Sequence, residues 1–439
     1  MTEHLSNLPY IEAHFDKHQQ PTDPAQTSAI EAWAKSKKIT DLIVISHGWN
    51  NDIDEARQLY AALVSSIAVQ IAEGSGGGLL NKRLGVVGIF WPSKKFADAN
   101  LIPGGAASTS GGLEDEALLE QIDSLLGFFD AATADESLEE MRDLAENVDW
   151  DPEARERFFR RARSLIGPPY ELDPDDREEI PDAFFSADTG DQIAELFDEL
   201  KKPDPPGMST MSVSGGAAGL MSLSGFKAGA QRLLNYLTYY QMKDRARKTG
   251  VKALQPLLRA IRDSQSEVRI HLVGHSFGGL VVTSAAWGGD GDMPAIPVTT
   301  LTLLQAAFSH NGFGEDFDGS RDGRYRNVLT EARVTGPTLV THTRNDKAVG
   351  IAYALASRLA RQDAAGIGGP DDRFGGIGAN GAQHTPESIA ADLMAPPWVY
   401  HFESGRLYNL LADEHIEDHS DVCGEAVANA VLAAIAGAK

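Results

Sequence analysis

The run Leu42-Ile43-Val44-Ile45 has no polar side to turn toward water. A strand that is apolar on both faces belongs inside a parallel sheet with helices over both surfaces. Leu84 to Trp91 is a second run of this kind. Between the two lies Asp52 to about Ala72, where Leu59, Ala62, Leu63, Ile67 and Ile71 recur at helical spacing. Upstream, Tyr10 to Phe15 has strand character. Asp23-Pro24 predicts an N-cap followed by proline at the first helical position, opening a helix through about Ser36. The resulting order, βαβαβ, specifies an open α/β sheet.

The alternation stops after Trp91. Residues 96–225 offer helices instead, at Glu114–Phe129, Asp151–Ile166 and Asp191–Lys202, the second opened by the N-cap and proline of Asp151-Pro152-Glu153. Between Ala97 and Pro206 stand 30 acidic and 9 basic residues, so this insertion carries most of the net charge of -24. It ends in a stretch of small residues and methionines, 208–225, that reads either as a flexible linker or as a mobile lid over an apolar cleft. Because Trp91, Ile45 and Val273 all end parallel strands, the insertion departs from the sheet edge that carries Val273, and Ser209 to Gly225 is expected to border that edge.

The α/β pattern then resumes. Leu233–Lys248 and Val251–Asp263 are helical, Val268–Val273 is a strand, and Phe277 to about Trp287 is a helix. Thr299–Phe308 and Thr338–Thr343 are strands, Ala348–Gln362 a helix and 364–383 a glycine-rich loop. Trp398–Leu411 holds one or two strands, and Cys423–Ala436 closes the chain as a helix of small apolar residues. The domain organisation is therefore a discontinuous core, 8–95 and 226–437, interrupted by an acidic helical insertion, 96–225.

The chemistry concentrates at Gly274-His275-Ser276-Phe277-Gly278-Gly279, which joins an apolar strand to an apolar helix without a loop. Side chains two positions to either side of the central residue would collide in such a turn, so glycines flank it. The turn pushes the Ser276 hydroxyl out at the carboxyl end of the sheet, where ligands sit in such folds. A serine hydroxyl is a weak nucleophile at neutral pH and needs a base, which in turn needs an orienting acid. Asp346 follows the strand Thr338–Thr343, and His419 lies after the last strand, just before the C-terminal helix. Asp316 competes for the acid role, and His415 and His401 for the base; His342, inside a strand, reads as a packed histidine. An oxyanion needs preorganised backbone N–H donors. Phe277 supplies one at a helix N-terminus. A second fits the turn His47-Gly48-Trp49 after Leu42–Ser46, with Trp49 offering its N–H and glycine allowing close approach.

Together His47-Gly48-Trp49, Gly274-His275-Ser276-Phe277-Gly278-Gly279, Asp346 and His419 resemble the α/β-hydrolases of the lipase and esterase type, over about 8–95 and 226–437. The resemblance implies an α/β-hydrolase fold and hydrolysis of carboxylic esters through an acyl-enzyme, with neither cofactor nor metal. It assigns Ser276, His419 and Asp346 to catalysis, Trp49 and Phe277 to the oxyanion hole, and His47, Gly48 and His275 to the substrate-binding surface. Substrates would be small-molecule or lipid esters. The family also hosts peptidases, amidases and non-catalytic members, so an interaction module that uses the acidic insertion against a basic partner is the alternative.

Other patterns point elsewhere or nowhere. Gly376-Ile377-Gly378-Ala379-Asn380-Gly381 spells a dinucleotide fingerprint by letter, yet no strand precedes it and no clear helix follows, so it reads as a glycine loop. Asp316–Asp322 misses the calcium-loop spacing. Tyr236, Tyr239 and Tyr240 read as core or interface. A lone cysteine, Cys423, excludes an intramolecular disulfide framework. The polar start MTEHLSNLPY is no secretory signal and no apolar stretch is long enough to span a bilayer, so the expected compartment is the cytoplasm. The negative charge disfavours nucleic acid as a partner.

Overall fold

Among the described residues, nine strands form one sheet in the order β1-β2-β4-β3-β5-β6-β7-β9-β8. They are β1 His4–Leu5, β2 Leu8–His14, β3 Asp41–Ser46, β4 Leu84–Phe90, β5 Arg269–His275, β6 Thr300–Leu304, β7 Thr338–His342, β8 Ser388–Asp392 and β9 Leu407–Leu411. Every neighbouring pair is parallel except the hairpin β1–β2. The structure is a computed structural model. It describes residues 4–74, 82–93, 112–167, 182–201, 225–289, 296–346 and 374–438, with the single positions 79, 180, 348 and 369. The chain divides into two units: residues 1–94, 245–349 and 376–439 form the first, and 95–244 with 350–375 the second.

The first unit holds the sheet. All residues of β3 and β4 are buried, as their unbroken apolar runs require. One face packs against the helices Ile53–Ala72 and Glu425–Gly437, in a core that joins Ile43, Ile45, Val86 and Val273 to Tyr60, Ile67, Val427 and Val431. The helix Phe277–Trp287, buried along its whole length, belongs to the other face. It crosses so close to the segment Gly250–Leu254 that a Cβ on Gly250 would lie 2.3 Å from the Val281 carbonyl. Asp52 caps Ile53–Ala72 through a reciprocal capping box with Glu55. Asp41 opens β3 fully buried, with His271 and Arg269 as partners. Burial opposes its charge, but those partners and Thr40 outweigh the burial and hold its carboxyl down at about 2.

The second unit is helical. Its helices include Gly112–Ser124, Ala134–Leu144, Pro152–Ser164, Asp182–Ser186 and Gly190–Lys201. Asp151 caps Pro152–Ser164 by accepting from Glu153 N, as the sequence predicts. This unit continues to Asp244, beyond the expected boundary at 225. The reason is aromatic packing: Phe226 meets Phe197, and Tyr236 meets Phe184, so the start of the long helix Phe226–Thr249 completes the helical core. Tyr236, Tyr239 and Tyr240 pack edge to face within it. The Arg155 guanidinium sits 3.2 Å from the Phe226 ring centroid.

Several elements differ from expectation. Asp23 accepts from Ala25 N at 2.9 Å and makes a turn, so the helix begins at Gln26 and Asp23 does not cap it. The segments expected as two helices, Leu233–Lys248 and Val251–Asp263, run on without a break from Phe226 to Ser264 through a π-type turn at Gly250–Leu254. Only Leu407–Leu411 of the stretch from Trp398 is a strand; Trp398 and Val399 are exposed, and Tyr400 turns its hydroxyl onto Met394 N. The expected helix Ala348–Gln362 and the segment Ser209–Gly225, apart from Ala348 and Gly225, lie outside the described residues, as do 364–368 and 370–373 of the expected glycine-rich loop. No helix of the described residues is long and apolar enough to cross a membrane.

Candidate active site

Because β3, β5, β6, β7 and β9 are parallel, their carboxyl ends share one edge. The register is tight there: Ser46 pairs with Gly274, His275 with Leu304, and His342 with Leu411. Residues just past each strand end are thus delivered to one rim.

Ser276 stands at the top of β5 with φ 56° and ψ -126°, a left-handed conformation rare for a residue with a side chain. Two crossings hold it there. Its N–H donates to Leu304 O at 3.1 Å, and its carbonyl accepts from Ala307 N at 3.2 Å and Gly279 N at 2.9 Å. The flanking glycines are steric necessities. A Cβ on Gly274 would meet Gly278 O at 2.3 Å, and one on Gly278 would meet Ser46 O at 2.1 Å. The expectation that only glycine or a very small residue fits two positions to either side of Ser276 is met in both directions.

The turn after β3 closes over the serine. A Cβ on Gly48 would lie 2.5 Å from Ser276 Cβ and 2.9 Å from its Oγ, so this glycine brings backbone directly against the hydroxyl. Its neighbour Trp49 reaches Phe277, with ring centroids 6.1 Å apart. His47 is almost fully buried. Its Nδ1 faces Gly48 O at 2.9 Å, and a carbonyl can only accept, so Nδ1 carries the proton. Nε2 then accepts from Trp91 N, and the ring stacks on Trp91. Burial pushes the His47 imidazole down to about 4, which keeps it neutral. With both nitrogens engaged by protein groups, His47 shapes the loop. Gly48→Ala is expected to destabilise the fold by about 1–3 kcal/mol, the usual cost of forcing an added methyl into a packed site. A variant that unfolds at the wild-type temperature would show that the approach of Gly48 to Ser276 leaves room for a side chain.

His419 and Asp346 meet across the rim. His419 Nδ1 lies 2.9 Å from Asp346 Oδ2; the carboxylate can only accept, so Nδ1 donates and Nε2 keeps its lone pair. Burial opposes charge on the imidazole, but the adjacent Asp346 carboxylate, by charge and by hydrogen bond, and the Asp418 charge outweigh it. The net effect raises the His419 pKa above the ordinary 6.5. Asp346 is buried and takes a second hydrogen bond from Gln305 Nε2 at 3.3 Å. The loops that bear the two residues are stitched together. Thr343 Oγ1 and Arg344 N donate to Asp413 Oδ1, and Asn345 Nδ2 donates to the carbonyls of Asp413 and Ile416.

The competitors lie elsewhere. Asp316 is exposed, and its N–H donates to Asp322 in a surface loop. His401 is exposed, and His415 makes a turn with its N–H on Ala412 O. His342 ends β7 and is lowered by burial. Among the described residues a hydrogen bond joins acid to base, while none joins Ser276 Oγ to His419 Nε2.

Two contributors escape sequence reasoning. Gln305, just past β6 with φ 45°, is fully buried; its Nε2 donates to Asp346 and to Gly378 O, while its Oε1 accepts from Thr341 Oγ1. Asn50 follows Trp49 with φ 61°, and among the described residues neither polar atom of its buried side-chain amide is matched. The motif Gly376 to Gly381 also acquires a role. A short helix, Ile377–Asn380, does follow Gly376, and Gly378 packs on Gln305, where a Cβ would lie 2.7 Å from the backbone. Its carbonyl accepts from Thr343 N and buttresses the acid loop. In comparisons with known proteins, the chain matches no family model, no curated protein and no solved structure.

Proposed function

We propose that the chain is a serine hydrolase of the α/β-hydrolase type that cleaves carboxylic esters through an acyl-enzyme. The carrying observation is one sheet edge that holds a serine at φ 56° in a glycine-framed strand-to-helix turn and an imidazole donating at 2.9 Å to a buried carboxylate. That pairing leaves His419 Nε2 with the lone pair a general base needs.

In this reading Ser276 Oγ attacks the ester carbonyl carbon while His419 Nε2 takes the hydroxyl proton. Catalytic hydrogen bonds are commonly long or poorly aligned before substrate binds and tighten in the complex. The carbonyl oxygen gains charge and accepts hydrogen bonds from the backbone N–H groups of Phe277 and Trp49. The helix beginning at Phe277 adds its positive end. As the tetrahedral intermediate collapses, the imidazolium returns its proton to the departing alkoxide, and the alcohol leaves. Water then attacks the acyl-serine with His419 again as base, releasing the carboxylic acid and restoring Ser276. Asp346 orients the imidazole and steadies the imidazolium.

A rapid-mix experiment with p-nitrophenyl acetate tests the acyl-enzyme. The expected result is a burst of p-nitrophenol approaching one equivalent of enzyme, followed by slower turnover. No release above buffer background for any ester from acetyl to palmitoyl would overturn the reading.

A further inference from the structure

We propose that His275, the residue before the nucleophile, is a positioning residue that fixes the general base by gripping the backbone of His419; the inference rests on the serine-hydrolase reading above. His275 is the last residue of β5 and is 7% exposed. Its Nε2 lies 2.8 Å from the carbonyl oxygen of His419, which can only accept, so Nε2 donates. The two rings also touch, with centroids 4.9 Å apart and planes inclined at 44°.

The surroundings give this bond its importance. His419 sits in an irregular loop whose other tethers are internal: Asp418 Oδ1 accepts from Ser420 N and Asp421 N, and Asp421 Oδ2 from Glu417 N. Among the described residues, the two hydrogen bonds of His419 are those that run from 417–421 to parts of the unit distant in sequence, while Asn345 Nδ2 holds the adjoining Ile416 carbonyl. One holds the ring to Asp346; the other holds the backbone next to its Cα. An imidazole pivots about its Cα, so the bond to Asp346 alone leaves the reach of Nε2 unset. Anchoring the carbonyl to His275, which is peptide-bonded to Ser276, puts nucleophile and base on one rigid strand end. The donor is also constant. Burial, with the His419 ring beside it, holds the His275 imidazole at about 3, so it carries one proton wherever neutral His419 could act as base. The charged or titratable groups around it are His419, Asp346 and His47.

The test compares donors of different reach. His275→Gln keeps an N–H near the Nε2 position; His275→Asn is too short, and His275→Phe has none. Relative to wild type, Asn and Phe variants are expected to lose on the order of 10- to 100-fold in kcat for an aryl acetate, with KM within about twofold, since misplacement costs turnover. Their labelling by a fluorophosphonate should slow by the same factor, and the Gln variant should recover most of both rates. Equal impairment of Gln and Asn, a loss confined to KM, or wild-type kcat in Asn would overturn the positioning role. If the Phe variant does not fold, the Gln–Asn comparison stands. If wild type itself neither labels at Ser276 nor cleaves esters, the hydrolase reading fails and takes this role with it; a labelled, active wild type with an unaffected Asn variant sinks the role alone.

Discussion

Ser276→Ala is expected to lower kcat for ester hydrolysis by on the order of 10⁵- to 10⁶-fold, leaving a residual enhancement of roughly 10³ over water from the oxyanion donors and binding. Thermal stability should hardly move. The serine caps its helix with no side-chain hydrogen bond, and the bonds that fix its backbone, to Leu304, Ala307 and Gly279, survive in alanine. The left-handed backbone costs alanine about what it costs serine, ~1–2 kcal/mol, so the strain is unchanged. A steady-state assay beside a thermal melt measures both quantities. Undiminished turnover would remove Ser276 from the chemistry; a large fall in Tm would mean that the hydroxyl holds structure.

His419→Ala should cost on the order of 10⁴-fold or more, and Asp346→Asn nearly as much, because an asparagine can hold the wrong imidazole tautomer. The pH profiles carry the sharper test. Only neutral imidazole accepts the serine proton, so kcat/KM should rise with pH through a single ionisation. The Asp346 carboxylate raises that ionisation above 6.5, so activity should fall away on the acid side of a midpoint higher than that of an ordinary histidine. In Asp346→Asn the main raising cause is gone while burial still opposes the charge, so the midpoint should move down as the rate collapses. If instead Asp316→Asn is inactive and Asp346→Asn is not, the acid belongs after β6.

Much of this site is legible in the chain because its constraints are steric and local. Gly274 and Gly278 flank Ser276 because nothing larger fits, and the strand and helix around them are marked by unbroken apolar runs. Parallel strands ensure that Asp346 and His419, each just past a strand, reach the same rim. What escapes is set by contacts distant in sequence. Gln305 lies within the stretch expected as a strand, Thr299–Phe308; that strand ends at Leu304, and nothing marks the role of Gln305 until β7 and Gly378 close around it. His275 reads as a substrate group because the segment it grips, at His419, is 144 positions away. β8, Ser388–Asp392, is a half-exposed edge strand of Ser-Ile-Ala-Ala-Asp, with too little apolar alternation to stand out. The aromatics Tyr400 and Phe402 mimic a strand but stack on one another in a loop over Tyr408.

The serine-nucleophile assignment is tested most directly by covalent capture. The protein is incubated with a fluorophosphonate, its intact mass is measured, and the adduct is located by peptide sequencing. A single adduct on Ser276 is predicted, forming at a rate that rises with the same pH midpoint as ester hydrolysis and is abolished in Ser276→Ala. An adduct on another serine, or none on a protein that still hydrolyses esters, would contradict it.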